Sequence, residues 1–381
     1  MKHESNETIA FPKAGRPALV LAPMEGVTDA PMRALMSERS GFSYCVSEFL
    51  RVNDLVPPDR TFKVHIPESL KGWKTSVGTV VQVQLLGGNA EVLAETARRA
   101  AELGAPGIDL NFGCPAPTVN RHDGGATLLK YPHRIRGIVE AVRRAVPAQI
   151  PVSAKLRLGF DSMESIDENA EMAAQGGASW ITIHGRTKTQ GYRPPAYWDP
   201  IGRVRARLGI PVVANGEIWT LEDFKRCREE TGSLHFMIGR GALGNPGLVF
   251  QIAKELGLPF NDRDQDGAKS FENPSDWLAL LSRYIEVSLR LVDVDQGGRL
   301  KRSYPIERYV LARIKQWLNF SRIRKPLPWF DQLKRFESLD EVIAFLQSNQ
   351  GQELPSGIPL QNAAAPCPTL GKQLQPIRSF N

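Results

Sequence analysis

VVQVQLLGGNAEVLAETARRAAELGAPGIDLNFG, residues 80–113, reads as a strand, an amphipathic helix and a second strand. The first run, VVQVQLL (80–86), is apolar and rich in β-branched residues. In the stretch after it, Val92, Leu93, Ala97, Ala100 and Leu103 return near the 3.6-residue helical period with charges opposite. Gly104 supplies a helix stop, and GIDLNFG (107–113) resumes an extended run. A strand, a crossover helix and another strand predict parallel neighbours in one sheet.

The same alternation extends in both directions. ALVLAPM (18–24) and YCVSEFL (44–50) precede this unit, and PVSAKLRLG (151–159), WITIHGR (180–186), PVVANGEI (211–218) and LHFMIGR (234–240) follow it. Helix-like stretches such as HRIRGIVEAVRRAV lie between them. Eight such strands alternating with helices give an α/β chain, either a (β/α)8 TIM barrel or a doubly wound open sheet. The strand ends favour the barrel. Met24-Glu25, Glu48, Gln84, Asn111, Lys155 with Arg157, His184, Asn215 and Arg240 all end strand candidates. A closed barrel gathers them at one mouth, whereas an open sheet scatters several along its edge.

The barrel is expected over residues 1–258, followed by a polar, Gly/Pro-bearing linker at 259–275. A small all-helical domain is expected over 276–347, carrying DWLALLSRYIEVSLRLV, PIERYVLARIKQWLNFSR and LDEVIAFLQS. The remainder, 348–381, has five prolines without periodicity and reads as a disordered tail.

Composition narrows the setting. Among 381 residues, 48 basic side chains outnumber 41 acidic ones, which leans towards a polyanionic partner. Four cysteines (Cys45, Cys114, Cys227, Cys367) without CxxC spacing point to free thiols in a reducing compartment. With six scattered histidines, they give no metal-ligand spacing. No signal-peptide core opens the chain, and no apolar run reaches the roughly 20 residues of a membrane helix. A cytoplasmic monomer is the expectation.

Three constellations carry chemistry. GRGALG (239–244) fits a dinucleotide fingerprint, but it follows the eighth strand rather than the first. In a TIM barrel the loops after strands seven and eight commonly hold a phosphate. Gly239 would let the backbone approach, Arg240 would add charge, and NGEI (215–218) would supply the neighbouring loop. Lys155 ends an apolar strand and should point into the mouth, where its charge needs an anion or an electron-rich ring such as a flavin. His184 ends the next strand as a candidate ligand. Cys114 lies in a Gly-Cys-Pro turn within NFGCPAPTVNRHDGGATLL (111–129). A thiol with a pKa of about 8.5 can donate a proton near neutrality or act as a nucleophile, and the residues alone leave both open.

LAPMEGVTD, QLLG, NFGCPAPTV, GGATLL, KLRLG, HGRTKTQGY, NGEI and IGRGALGNP occur in this order between about 18 and 330 and resemble the tRNA-dihydrouridine synthases. VANGEIW with ARIKQWL resembles the bacterial C group, which modifies U16 of the D-loop. The resemblance implies FMN held by Pro23, Met24, Glu25, Gln84, Lys155, His184, Asn215, Gly216, Glu217, Gly239 and Arg240. It implies Cys114 as the acid, Asn111 and Arg157 on a flipped uracil, and NADPH as electron donor. His122 and Asp123 stand where the family pattern has smaller residues.

Between 301 and 325 eight residues are basic and Glu307 alone is acidic. Arg308, Lys315 and Arg322 are seven apart and form one helical stripe, opposite Ile306, Val310, Ile314 and Trp317. The stripe is expected to hold the tRNA backbone. Two other readings share the barrel: a small-molecule flavin oxidoreductase of the dihydroorotate or dihydropyrimidine dehydrogenase kind, and a non-catalytic tRNA-binding protein. The first has no use for a basic helical domain, and the second none for Cys114, Lys155 and His184.

Overall fold

Every strand expected from the sequence forms. The computed structural model describes residues 11–38, 41–120, 123–259, 271, 274–292, 306–321 and 327–349. The strands are β1 (Ala18–Leu21), β2 (Tyr44–Arg51), β3 (Val80–Leu86), β4 (Ile108–Asn111), β5 (Val152–Arg157), β6 (Trp180–His184), β7 (Val212–Asn215) and β8 (His235–Ile238). Each pairs in parallel with its sequence neighbours, and β8 closes on β1, making a TIM barrel.

Most strands stop two or three residues before the apolar run that marks them. β1 ends at Leu21 and β7 at Asn215, so Pro23, Met24, Glu25, Gly216 and Glu217 lie in loops. Glycine and proline at these ends take the chain out of the ladder and into the loops that form the mouth.

Local sequence sets the helices as well. In α3 (Ala90–Glu102), Asn89 caps the first turn by accepting from Glu91 and Val92 backbone N–H groups at 3.0 and 3.2 Å. The helix closes on Leu103, with Gly104 one residue later at φ +86. Leu93, Ala97 and Ala100 are buried, as the periodicity requires, and α3 packs against α5 (Pro132–Ala145).

The end of the barrel opposite the mouth is closed by aromatic packing. Phe11 stacks on Trp180 with centroids 5.2 Å apart and meets Tyr44 edge-on at 4.9 Å. Beyond the barrel lie α11 (Pro274–Val292), α12 (Ile306–Ser321), α13 (Phe330–Leu333) and α14 (Leu339–Asn349). α11 lies on α1 (Ala30–Glu38), where Arg283 grips Glu38 through bonds of 2.9 and 2.8 Å. α12 lies on α9 (Arg240–Gly244), with Trp317 Nε1 donating to the Leu243 carbonyl at 3.0 Å. Val310, Ile314 and Trp317 are buried, so α12 turns its expected apolar face inward. Most of the expected linker, and the tail from 350 onward, lie outside the described residues, as does His122.

Candidate active site

Strand register decides which side chains meet inside the barrel. Gln84 stands opposite Asp109, and Asp109 opposite Ser153. One layer nearer the mouth, Asn111 stands opposite Lys155. At the rim Arg157 faces His184, and His184 faces Asn215. Side chains two apart on a strand share a face, so these polar groups replace the apolar filling usual in a barrel interior.

The Cys114 loop is fixed from beneath. Asn111 Oδ1 accepts from the Gly113 and Cys114 backbone N–H groups, both at 2.9 Å, and Asn111 Nδ2 donates to Gln84 Oε1 at 2.8 Å. Arg157 Nε donates to the Gly113 carbonyl at 2.8 Å, while its Nη1 reaches the Thr187 and Gly191 carbonyls at 3.0 and 2.8 Å. Arg157 therefore ties the loop after β4 to the loop after β6. Cys114 is half-buried, and burial pushes its thiol above the ordinary value, against the Ala116 backbone bond and the charges of Arg157 and Lys155. It is thus a protonated thiol at neutral pH. Cys45 and Cys227 are fully buried on the barrel's outer packing, and burial drives both upward, Cys45 to about 12. Asp123 takes the left-handed φ of +56 and accepts from Arg134 at 2.9 and 2.6 Å.

Positive charge collects on the other side of the mouth. His184 is held well below its ordinary value by burial first, then by Arg157, Lys155, Arg186 and Arg240, so its ring is neutral. Burial and then Arg157 also pull the Lys155 ammonium down, with Asp109 opposing. Glu217 pairs with Arg186, accepts Trp219 Nε1 at 3.1 Å and lies 3.9 Å from Arg240. Those contacts hold Glu217 at φ +57, a conformation uncommon for a residue with a side chain. Lys155, Arg157, Arg186 and Arg240 thus all act on His184, and Glu217 answers two of them, Arg186 and Arg240.

The residues present fit a flat, electron-rich ring with a phosphate tail. His184 Nδ1 is buried with no hydrogen-bond partner. Gly216, at φ +114, packs so closely that a Cβ would stand 3.3 Å from His184 Nε2, and a Cβ on Gly239 would stand 3.2 Å from Met24 Sδ. Asn215 Nδ2 donates to the Met237 carbonyl at 2.7 Å, locking β7 to β8 beneath these loops. Pro23, Met24 and Glu25 form the β1 turn beside them, where the Met24 N–H donates to Thr28 Oγ1 at 2.7 Å. Among the described residues no group of His, Cys, Asp and Glu could hold a metal ion, and no helix is long and apolar enough to cross a membrane.

The basic stripe is divided. Arg308 is exposed, Lys315 donates Nζ to the Phe336 carbonyl at 2.5 Å, and Arg322 lies outside the described residues. Two α12 residues that the sequence reading passed over reach the barrel instead. Tyr309 OH donates to Asp29 Oδ2 at 2.6 Å, and Arg313 Nε lies 3.9 Å from the same atom. Asp109 and Arg186 were passed over too: Asp109 is hidden between Ile108 and Leu110, and the partner of Arg186, Glu217, lies on the loop after the next strand.

A model of the dihydrouridine synthase family matches residues 20–270. A tRNA-dihydrouridine(16) synthase from Aquipseudomonas alcaligenes is 44% identical over 331 residues, covering 86% of this chain and 98% of its own. A second, from Shewanella oneidensis, is 42% identical over 336 residues, covering 87% of this chain and 98% of its own. Among solved structures, histamine dehydrogenase from Rhizobium sp. 4-9 superposes with a TM-score of 0.50 at 14% identity, over 71% of this chain and 48% of that one. That likeness is one of barrel fold alone.

Proposed function

The chain belongs to the dihydrouridine synthase family, and on that premise we propose that it reduces uridine 16 of tRNA to 5,6-dihydrouridine with FMN and NADPH. The observation that carries this reading is a protonated thiol, Cys114, on a loop pinned by Asn111 and Arg157 at the mouth that holds Lys155 and His184.

Bound FMN, once reduced by NADPH, supplies a hydride to C6 of the uracil. The remaining work falls to the chain. Lys155 and the neutral His184 ring would hold the flavin's electron-rich edge. Gln84 and the turn at Pro23, Met24 and Glu25 would bound the ring, and Asn215, Gly216, Glu217, Gly239 and Arg240 would cradle its phosphate. Cys114 gives its proton to C5, so the C5=C6 bond gains one hydride and one proton. Arg157 and Lys155 favour the thiolate left behind, and solvent returns its proton. Asn111 and Arg157 would contact the uracil, which must leave its stack to enter a barrel mouth.

The helical residues 276–347 would carry the tRNA, with exposed Arg308 against its backbone, and Lys315 and Arg322 extending that surface. Residues 1–258 would form the catalytic unit, joined through 259–275, with 348–381 as a tail. The chain would act as a cytoplasmic monomer, where tRNA and NADPH are both present. Mapping dihydrouridine in tRNA from cells lacking this protein tests the reading. Loss at position 16 alone is expected; an unchanged map would overturn it.

A further inference from the structure

Asp109 has no part in the chemistry described so far, yet it lies at the root of the bonds that hold Cys114. It stands on β4 two residues before Asn111, faces into the barrel and is 2% exposed. Its carboxylate accepts from Gln84 Nε2 at 2.6 Å and from Ser153 Oγ at 2.5 Å. Burial raises its carboxyl to about 6, against the Ser153 and Gln84 bonds and the nearby Lys155, so that it is ionised at pH 8.

We propose that Asp109 is a positioning residue for Cys114, acting by fixing the direction of a hydrogen-bond chain through Gln84 and Asn111. An ionised carboxylate can only accept. Gln84 must therefore turn its amide nitrogen to Asp109 and its oxygen to Asn111, whose Nδ2 donates to it at 2.8 Å. Asn111 is then obliged to present Oδ1 to the loop, where the Gly113 and Cys114 N–H groups both donate at 2.9 Å. A neutral amide at 109 could donate as well as accept, so the chain could reverse. Asn111 would then face two N–H donors with its own NH2 group, and both loop bonds would be lost. A buried charge three hydrogen bonds away thus decides whether the Cys114 backbone is held.

The inference rests on the dihydrouridine reading only in calling Cys114 the acid; the bonds stand without it. The test is therefore a thiol measurement on the flavin-loaded protein in a Cys367→Ser background, since Cys45 and Cys227 are buried. Cys114 alkylation by iodoacetamide at pH 8 is followed by mass spectrometry. Asp109→Asn is expected to accelerate it about 30-fold, the opening ratio for two hydrogen bonds lost at about 1 kcal/mol net each. Adding Gln84→Glu restores an obligate acceptor for Asn111 and is expected to return the rate to that of the parent. Ser153→Ala keeps the Asp109–Gln84 bond and should react like the parent. Alkylation of Asp109→Asn at the parent rate would overturn the proposal, as would equal acceleration in Ser153→Ala. If Asp109→Asn does not accumulate, Gln84→Met cuts the chain without removing the charge; a parent rate there is equally contrary. A wrong reaction assignment would leave these rates readable.

Discussion

Gly125→Ala should cost both stability and turnover, because Gly125 forms the floor under the catalytic loop. Its φ is +61, a left-handed conformation that costs alanine about 1–2 kcal/mol. A Cβ there would stand 2.8 Å from Val119 Cγ1, 3.0 Å from the Cys114 carbonyl oxygen and 3.1 Å from Cys114 Cβ. Carbon contacts settle near 3.5–4.0 Å, so the loop must yield by roughly half an ångström, and overpacking of this kind adds about 1–3 kcal/mol. Together these give about 3 kcal/mol, or a fall in melting temperature of roughly 4 °C for a chain of this length. Two of the three contacts are with Cys114 itself, so the displacement falls on the proton donor. A misplacement approaching an ångström can cost about 100-fold in rate, and at least a tenfold loss of tRNA-driven flavin reoxidation is expected. The comparison variant is Gly137→Ala in α5, where a Cβ meets nothing within 4 Å and the helix gains about 0.5–1 kcal/mol. Melting curves and single-turnover rates measured together decide the matter. Gly125→Ala that melts and turns over like the parent would refute the packing argument.

Further outcomes follow from other contacts. Burial, then Asp29 and Glu25, raise the Glu48 carboxyl to about 8 from an unfolded value near 4.5. The folded state thus binds the extra proton, so stability from this group is full below pH 4.5 and lost as pH rises through 8. Glu48→Gln keeps an acceptor for the Val27 N–H, at 3.1 Å in the parent, and should flatten the fall in melting temperature between pH 5 and 8; an unchanged slope would count against the assignment. Arg308→Glu should weaken tRNA binding and lower its salt dependence without moving the melting temperature. Lys315→Met should weaken tRNA binding and also lower the melting temperature through the lost Phe336 bond, so calorimetry beside filter binding separates it from Arg308→Glu.

The strands were legible because most are short apolar runs beside a glycine or proline, and the mouth was legible because nearly every run ends in a polar group. Cys114, Lys155, His184 and Arg240 could be found from their place at those ends. Asp109 could not, since its neighbours Ile108 and Leu110 make it look like an interruption in a core strand, and its meaning lies in Gln84 and Ser153 on other strands. Arg186 is similar: its partner Glu217 is a strand away, and nothing local announces a fully buried guanidinium. Helical period placed Val310, Ile314 and Trp317 correctly on the inner face of α12. Period gives angle but not neighbours, so it missed Tyr309 on Asp29, 280 residues distant, and Lys315 on the Phe336 carbonyl.

Mixing the anaerobically reduced protein with unmodified tRNA, and following the return of the oxidised flavin's absorbance, tests the central assignment most directly. The parent should reoxidise and leave dihydrouridine at position 16, while Cys114→Ala should keep its flavin and its tRNA affinity yet slow by about 100-fold or more. Reoxidation of Cys114→Ala at the parent rate would contradict the account.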